Sequence, residues 1–495
     1  MTFLFLKFID LNVLLQRYTN KMKMFQYRLL TKIISLIIVL FFSSLTQAQK
    51  DTINYDISVS GLTSTGAESP FWLHSRQYGL NSSQPQSVNV LLGFEKRMLK
   101  MAKLFDYGFE ADLLLQTNNL NTNIYFHEIY AKARLLVFDF VVGLREEHLG
   151  NQDSTLSCGG FLFSMNARPM PKITVGIEHF IPVPFTYGYV EIKGALSHGW
   201  FTDNAYATNE LLHHKYAYLR LGGKLPVHIQ YGIDHAAQWG GSIPGIGQTP
   251  TGLKDYINIF LGHSSGSDGT RSDQINALGN HIISQSLRLD VDISDFKIGG
   301  YWQNISEDGP IRIIGNTMNT PDGLWGISVR NKNFPFVKGI VYEYLNTTDQ
   351  SGPYHDKDGI VYGGADSYFS HGEYQTGWSY FSKTIGSPFI FPQSKVIGIN
   401  RYSTNDRVIV HHVGIEGVIN DYQYRFLSSF IKNYGTYSIP FPEMIQNTSM
   451  LLEVTKQFPA LSNVEIGCKI GADFGKLYGN SVGLQIAIRK TGNLF

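Results

Sequence analysis

Residues 286–306 read SLRLDVDISDFKIGGYWQNIS, and no other stretch restricts the possible folds of this chain as tightly. Leu287, Leu289, Val291 and Ile293 alternate with Arg288, Asp290, Asp292 and Ser294. After Ser294-Asp295, Phe296, Ile298, Gly300 and Trp302 alternate with Lys297, Gly299, Tyr301 and Gln303. A period of two on both arms of a short turn predicts a β-hairpin with one apolar and one charged face. Two architectures give that pattern. One is a sandwich with solvent outside and a core inside; the other is a barrel wall with lipid outside and a wet lumen inside.

The rest of the chain decides between them. It is 13% aromatic but only 16% charged, against about a quarter charged in ordinary soluble domains. Beyond the N-terminus no run approaches the ~20 apolar residues of a membrane helix. Low charge without long apolar runs suits a wall in which alternate residues face lipid. Alternation recurs at 105–113, 128–135, 172–178, 217–221, 227–234, 325–329, 340–344, 409–415, 422–426, 464–470 and 482–488. Short turns fall near Asp139, Gly223, Ser294, Lys332, Asn420 and Pro459, with long links at 146–171, 235–285, 303–323 and 346–407. Short and long connections in turn are the habit of outer-membrane barrels. The predicted fold is therefore all-β, a large transmembrane antiparallel β-barrel. At roughly 25 residues per strand and connection, residues 49–495 supply about 16–18 strands. A lumen of that size must hold water or be obstructed by long extracellular loops.

The N-terminus reads as an export signal over residues 1–48. Lys21, Lys23, Arg28 and Lys32 precede an apolar run at 33–45, with small or polar residues up to Ala48. Cleavage is expected after Ala48 or Gln49, and the basic region places the true start at Met22 or Met24. Cys158 in a long link and Cys468 on a strand are not expected to pair. The terminal Phe495 suits a barrel-assembly signal, though it is out of phase with 482–488. A formal net charge of +1 offers nucleic acid nothing to bind.

Several segments carry a family resemblance. They are FWLHSRQYG at 71–79, the block LGNQDSTLSCGGFLFSMNARPMPKITVGIEHFIPVPFTYGYVEIKGALSHGWF at 149–201, HAAQWGG at 235–241, INALGNH at 275–281, PDGLWG at 321–326, EYLNTTDQSGP at 343–353 and YQTGWSYFSKTIGSP at 374–388. Together they resemble the Wzi family of capsule-assembly proteins in its Bacteroidetes-type form. The resemblance implies a Gram-negative outer-membrane barrel whose outer loops block the pore and hold capsular polysaccharide as a lectin. It implies surface polysaccharide, outer-membrane lipid and the barrel-assembly machinery as partners, and a monomer. An outer-membrane porin is the alternative.

A glycan-holding surface needs aromatic faces for sugar rings and amides or carboxylates for hydroxyls. Trp239, His235, Gln238, Trp200, Asn304, Asn346 and Asp349 are the candidates, with Trp239 foremost. Trp and Tyr near strand ends are more often interfacial girdle than ligand contacts. No catalytic or metal site and no cofactor is expected. Asp290 and Asp292 share a strand face with Arg288 and read as lumenal ion pairing. His213-His214 and His411-His412 diverge within each pair. Glu146 and Glu147 also diverge and cannot serve as a glycosidase pair.

Overall fold

The computed structural model describes residues 52–98, 104–275, 277–307, 322–350, 356–357, 360–361, 367–391, 405–462 and 464–494. The expected signal peptide and Phe495 lie outside the described residues. Among the described residues, eighteen strands form one sheet in which each is antiparallel to its sequence neighbours. The first half comprises β1 (Ile53–Ser64), β2 (Gln86–Lys96), β3 (Phe105–Asn118), β4 (Thr122–Leu135), β5 (Phe138–Leu144), β6 (Pro171–Pro182), β7 (Val190–Trp200), β8 (Leu211–Leu221) and β9 (Val227–Trp239). The second comprises β10 (Asn280–Ile293), β11 (Phe296–Ser306), β12 (Gly323–Asn331), β13 (Gly339–Asn346), β14 (Val408–Ile419), β15 (Tyr422–Gly435), β16 (Pro440–Phe458), β17 (Val464–Gly475) and β18 (Ser481–Asn493). β18 returns to β1, with Asn54 opposite Asn493 and Ser64 opposite Gly483, so the sheet is a closed barrel without free edges.

The hairpin read from sequence is β10–β11, with Leu287 opposite Trp302 and Ile293 opposite Phe296. Ser294 takes the left-handed conformation, φ 51°, at the turn. Leu287, Leu289, Phe296 and Ile298 point out of the barrel and are about 40% exposed, at 44%, 44%, 45% and 39%. Arg288 and Asp290 point inward and pair at 2.8 Å, with Lys297 3.7 Å from the same carboxylate. An apolar outer belt around a charged inner wall is the arrangement of a barrel in lipid. Elsewhere on the inner wall Glu178 bridges Lys132 at 2.6 Å and Arg145 at 2.5 Å, and Arg134 pairs with Asp139 at 2.8 Å.

Connections alternate in length only in part: the long ones all fall at one end, but β3 to β4, β15 to β16 and β17 to β18 are joined at that same end by three, four and five residues. Two-residue turns join β4 to β5, β10 to β11 and β14 to β15, whereas the links from β5 to β6, β9 to β10 and β13 to β14 leave and re-enter the sheet at the opposite end. Both termini of the barrel lie at the short-turn end, where the Leu494 N–H donates to the Ile53 carbonyl at 2.8 Å.

The inner wall is not wholly polar. Residues 151–161 cross to the far side of the barrel and bond side chains of β10 to β15. Arg288 donates to the Asn151 carbonyl at 2.8 Å, Arg330 to Asp153, Arg425 to the Thr155 carbonyl at 3.0 Å, and the Phe161 N–H donates to Gln303 at 2.8 Å. Leu156, Cys158, Phe161 and Leu162 enter one apolar core with Ile305, Leu324 and Val410 of the wall. Tyr368, Phe369, Trp378 and Phe389 belong to it, as does the short helix α1 (Phe71–His74), whose Phe71 stacks on Phe389 at 5.0 Å. Cys158 and Cys468 are both free, as expected.

Candidate functional site

The seven residues expected to meet sugar fall into two groups. Only Asp349 lies in a connection; Trp200, His235, Gln238, Trp239, Asn304 and Asn346 sit at strand ends, because the strands run several residues past the visible alternation. β9 separates three of them. His235 and Trp239 share the outer face with Val227 and Ile229, while Gln238 faces the lumen.

Trp239, the foremost candidate from sequence, is 2% exposed. It packs with Ala237, Ile259 and Leu278, and with the rings of Tyr256 at 5.8 Å and His198 at 6.1 Å. His235 is buried too, its Nε2 2.7 Å from Nδ1 of His281. Gln238 accepts from Asn280 at 2.9 Å and donates to the Gly377 carbonyl at 3.2 Å, tying the mouth to the 367–391 segment. Trp200 is half-buried, edge-on to His198 at 4.9 Å.

The second group does converge. Asn304 donates to the Asp322 carbonyl at 3.0 Å, the Asp349 N–H donates to Asp322 Oδ1 at 2.8 Å, and Asn346 reaches Asp349 at 3.4 Å. Asp322 Oδ2 accepts from the Tyr368 hydroxyl at 3.0 Å. Burial pushes the Asp322 carboxyl up to about 7. Asp322 organises the group and was not among the candidates; its only mark in the sequence is its place in PDGLWG.

A second feature also escaped the sequence reading. The two-residue pairs Ser379–Tyr380 and Lys383–Thr384 form a hairpin whose turn is Phe381-Ser382, both at positive φ, 48° and 60°. Such turns favour Asn-Gly, and a bulky residue there costs on the order of 1–2 kcal/mol. Phe381 is nonetheless 40% exposed at the long-loop end. Its N–H donates to Asp203 at 2.9 Å, and its ring packs on Arg168 at 4.4 Å, which also lies 3.9 Å from the Tyr125 ring. Burial raises the Asp203 carboxyl above its ordinary range. An exposed aromatic in a strained turn beside a carboxylate and a guanidinium has the chemistry of a sugar contact.

The groups weighed for catalysis or metal binding have other partners. Glu146 bonds His127 at 2.7 Å, and Glu147 bonds Arg145 at 2.8 Å and Lys172. His214 faces the lumen 3.5 Å from Asp234, while His213 faces outward. Among the described residues Glu110, Asp112 and Glu128 do lie close enough to share an ion; Glu110 accepts from Tyr130 at 2.8 Å and Glu128 from the Glu146 N–H at 2.7 Å.

A family model described as capsule assembly protein Wzi matches residues 76–393, most of the barrel. The chain belongs to that family. A solved family structure, described as Wzi, an outer membrane protein involved in group 1 capsule assembly in Escherichia coli and a carbohydrate-binding β-barrel, superposes with a TM-score of 0.56. Identity is 10%, over 88% of this chain and 84% of that one. Pseudomonas aeruginosa OccK5 (OpdH) gives a TM-score of 0.46 at 9% identity, over 90% of this chain and 98% of that one. OccK2 (OpdF) from the same organism gives 0.46 at 7%, with the same coverage. No curated protein matches the chain at a significant level.

Proposed function

We propose that this chain is a Gram-negative outer-membrane barrel that binds capsular polysaccharide and assists capsule assembly and attachment at the cell surface. The carrying observation is the shared apolar core of residues 151–162 and 367–391 inside the wall, which leaves the barrel with a built surface at its long-loop end. A porin needs an open lumen; a lectin needs a fixed floor for its contacts. The long connections obstruct the pore and face the exterior, and the short turns face the periplasm. Glycan contacts are assigned to Phe381, Asp203, Trp200 and Asp349, each of which keeps some exposed surface. Asn304 and Asn346 position Asp349, and His235, Gln238 and Trp239 hold the mouth together. The protein acts by binding, without chemistry, as a monomer delivered by a cleaved signal peptide and the barrel-assembly machinery.

Glycan-array binding by purified protein, with single-channel recording on the same preparation, tests this reading. Binding of acidic or neutral capsule fragments with little conductance is expected; steady porin-like conductance without glycan binding refutes it. Orientation is tested separately on intact cells. In a background with Cys158 and Cys468 changed to serine, Ser242→Cys should react with a membrane-impermeant maleimide and Gly223→Cys should not. The reverse pattern would invert the barrel.

A further inference from the structure

The 240–279 connection carries helix α2 (Leu253–Leu261), which lies on the outer surface of the wall and not over the mouth. Local chemistry fixes its ends. The Gly252 N–H donates to Asp255 at 2.7 Å at the start, and Gly262, at φ 70°, ends it with the His263 N–H returning to the Asn258 carbonyl at 2.8 Å. Tyr256 and Ile259 pack on the outward faces of His213 and Trp239. Lys215, also outward, donates to the Phe260 carbonyl and sits 3.8 Å over its ring.

The other side of α2 is apolar and uncovered. Leu253, Ile257 and Leu261 follow helical i, i+4, i+8 spacing and are 78%, 49% and 55% exposed, while Phe260, 37% exposed, sits at the edge of the stripe against Lys215 and His213. At 100° per residue Leu253, Ile257 and Leu261 span about 80° on the side of the helix away from Asp255 and Ile259, and Lys254 with Asn258 adjoin them on the Leu261 side. A helix meant for water would not place three large apolar side chains on one free face.

The height of α2 supplies its occupant. On β9 the outward series begins with Val227, Ile229, Tyr231 and Ile233. With about 3.3 Å per residue and a strand tilt near 40°, each residue advances roughly 2.5 Å along the barrel axis. A lipid belt about 25 Å tall starting at Val227 therefore ends some ten residues on, level with His235 to Trp239, where α2 is seated. The stripe continues the apolar belt of the wall.

We propose that α2 is an interfacial helix, its Leu253, Ile257 and Leu261 inserted among acyl chains of the outer leaflet and its Lys254 edge turned to the headgroups. The inference rests on the barrel spanning a membrane and is independent of glycan binding. Single nitroxides at Leu253, Ile257, Asn258 and Leu261, and at Leu289 as a wall control, are introduced into the full-length protein with Cys158 and Cys468 changed to serine. The protein is reconstituted in phosphatidylcholine–phosphatidylglycerol vesicles. Labels at 253, 257 and 261 should show oxygen over nickel-chelate accessibility several-fold higher than at 258 and close to that at 289. Values at 253, 257 and 261 matching 258 would overturn the proposal. Spin–spin broadening at these three positions would show a second copy on the stripe and overturn it as well. Nickel-chelate access at 289 would instead remove the membrane reading beneath it.

Discussion

Glu343 on β13 is fully buried and accepts two bonds, one that anchors the crossing segment, from the Cys158 N–H at 2.5 Å, and one within the wall, from the Tyr301 hydroxyl of β11 at 2.5 Å. Replacing it with alanine leaves both donors without an acceptor while the segment stays in place. Each stranded donor costs about 1–3 kcal/mol, and the cost disappears once the segment lifts and water enters. The opening equilibrium should therefore shift by at least ~2 kcal/mol, about 30-fold or more. Cys158 reports that opening directly, being 1% exposed with its thiol pushed up by burial. In a Cys468→Ser background, the rate of Cys158 modification by a small neutral thiol reagent should rise at least ~30-fold in Glu343→Ala. Glu343→Gln, which keeps one acceptor, should fall between the two. A rate unchanged from the parent, in protein whose heat-modifiable gel mobility shows an intact barrel, would mean that Glu343 does not hold the segment.

Leu289→Arg or Ile298→Arg should impair assembly, since arginine on a lipid face costs up to about 2–4 kcal/mol depending on its depth, whereas Asp292→Asn on the inner wall should not. Equal loss of heat-modifiable barrel in all three would reverse the facing. Phe381→Ala should weaken glycan binding by about 0.5–1.5 kcal/mol at unchanged melting temperature, while Trp239→Ala should lower the melting temperature instead; calorimetry of both separates the roles. Asp322 has an ordinary value of 3.8 and a folded value of about 7, so the folded protein retains a proton that the unfolded chain loses across that window. Its contribution to stability falls as pH rises between those values. Asp322→Asn removes the dependence, so the melting temperature of the parent relative to the variant should decline from pH 4.5 to 7.5.

The barrel was legible because lipid imposes a period of two wherever the outer face meets it and the inner face meets water. That condition holds around Leu287 to Ile298 and fails toward the long-loop end. Val408-Ile409-Val410 loses its alternation because the inward residues join the loop core while Ile409 faces out. His235, Trp239, Asn304 and Asn346 stand on outward positions above the belt, where covering segments replace lipid, and so they resembled loop residues. The burial of Trp239 depends on α2, whose docking side is spread over residues from several strands. Phe381 went unnoticed for the opposite reason: its value lies in backbone conformation and exposure, neither of which is written in residue type.

The seam between β1 and β18 sets the order in which this barrel can be built. A chain truncated before Ser481 would present two unpaired edges, Ile53–Ser64 and Val464–Gly475, each a template for a neighbouring chain. The crossing segment follows β5, yet its partners lie on β10 to β15, so it remains uncommitted while the intervening strands are synthesised. Closure and filling must then come late and together. A sheet that sealed first would have to admit the 145–170 connection afterwards, through a mouth narrowed by the other loops.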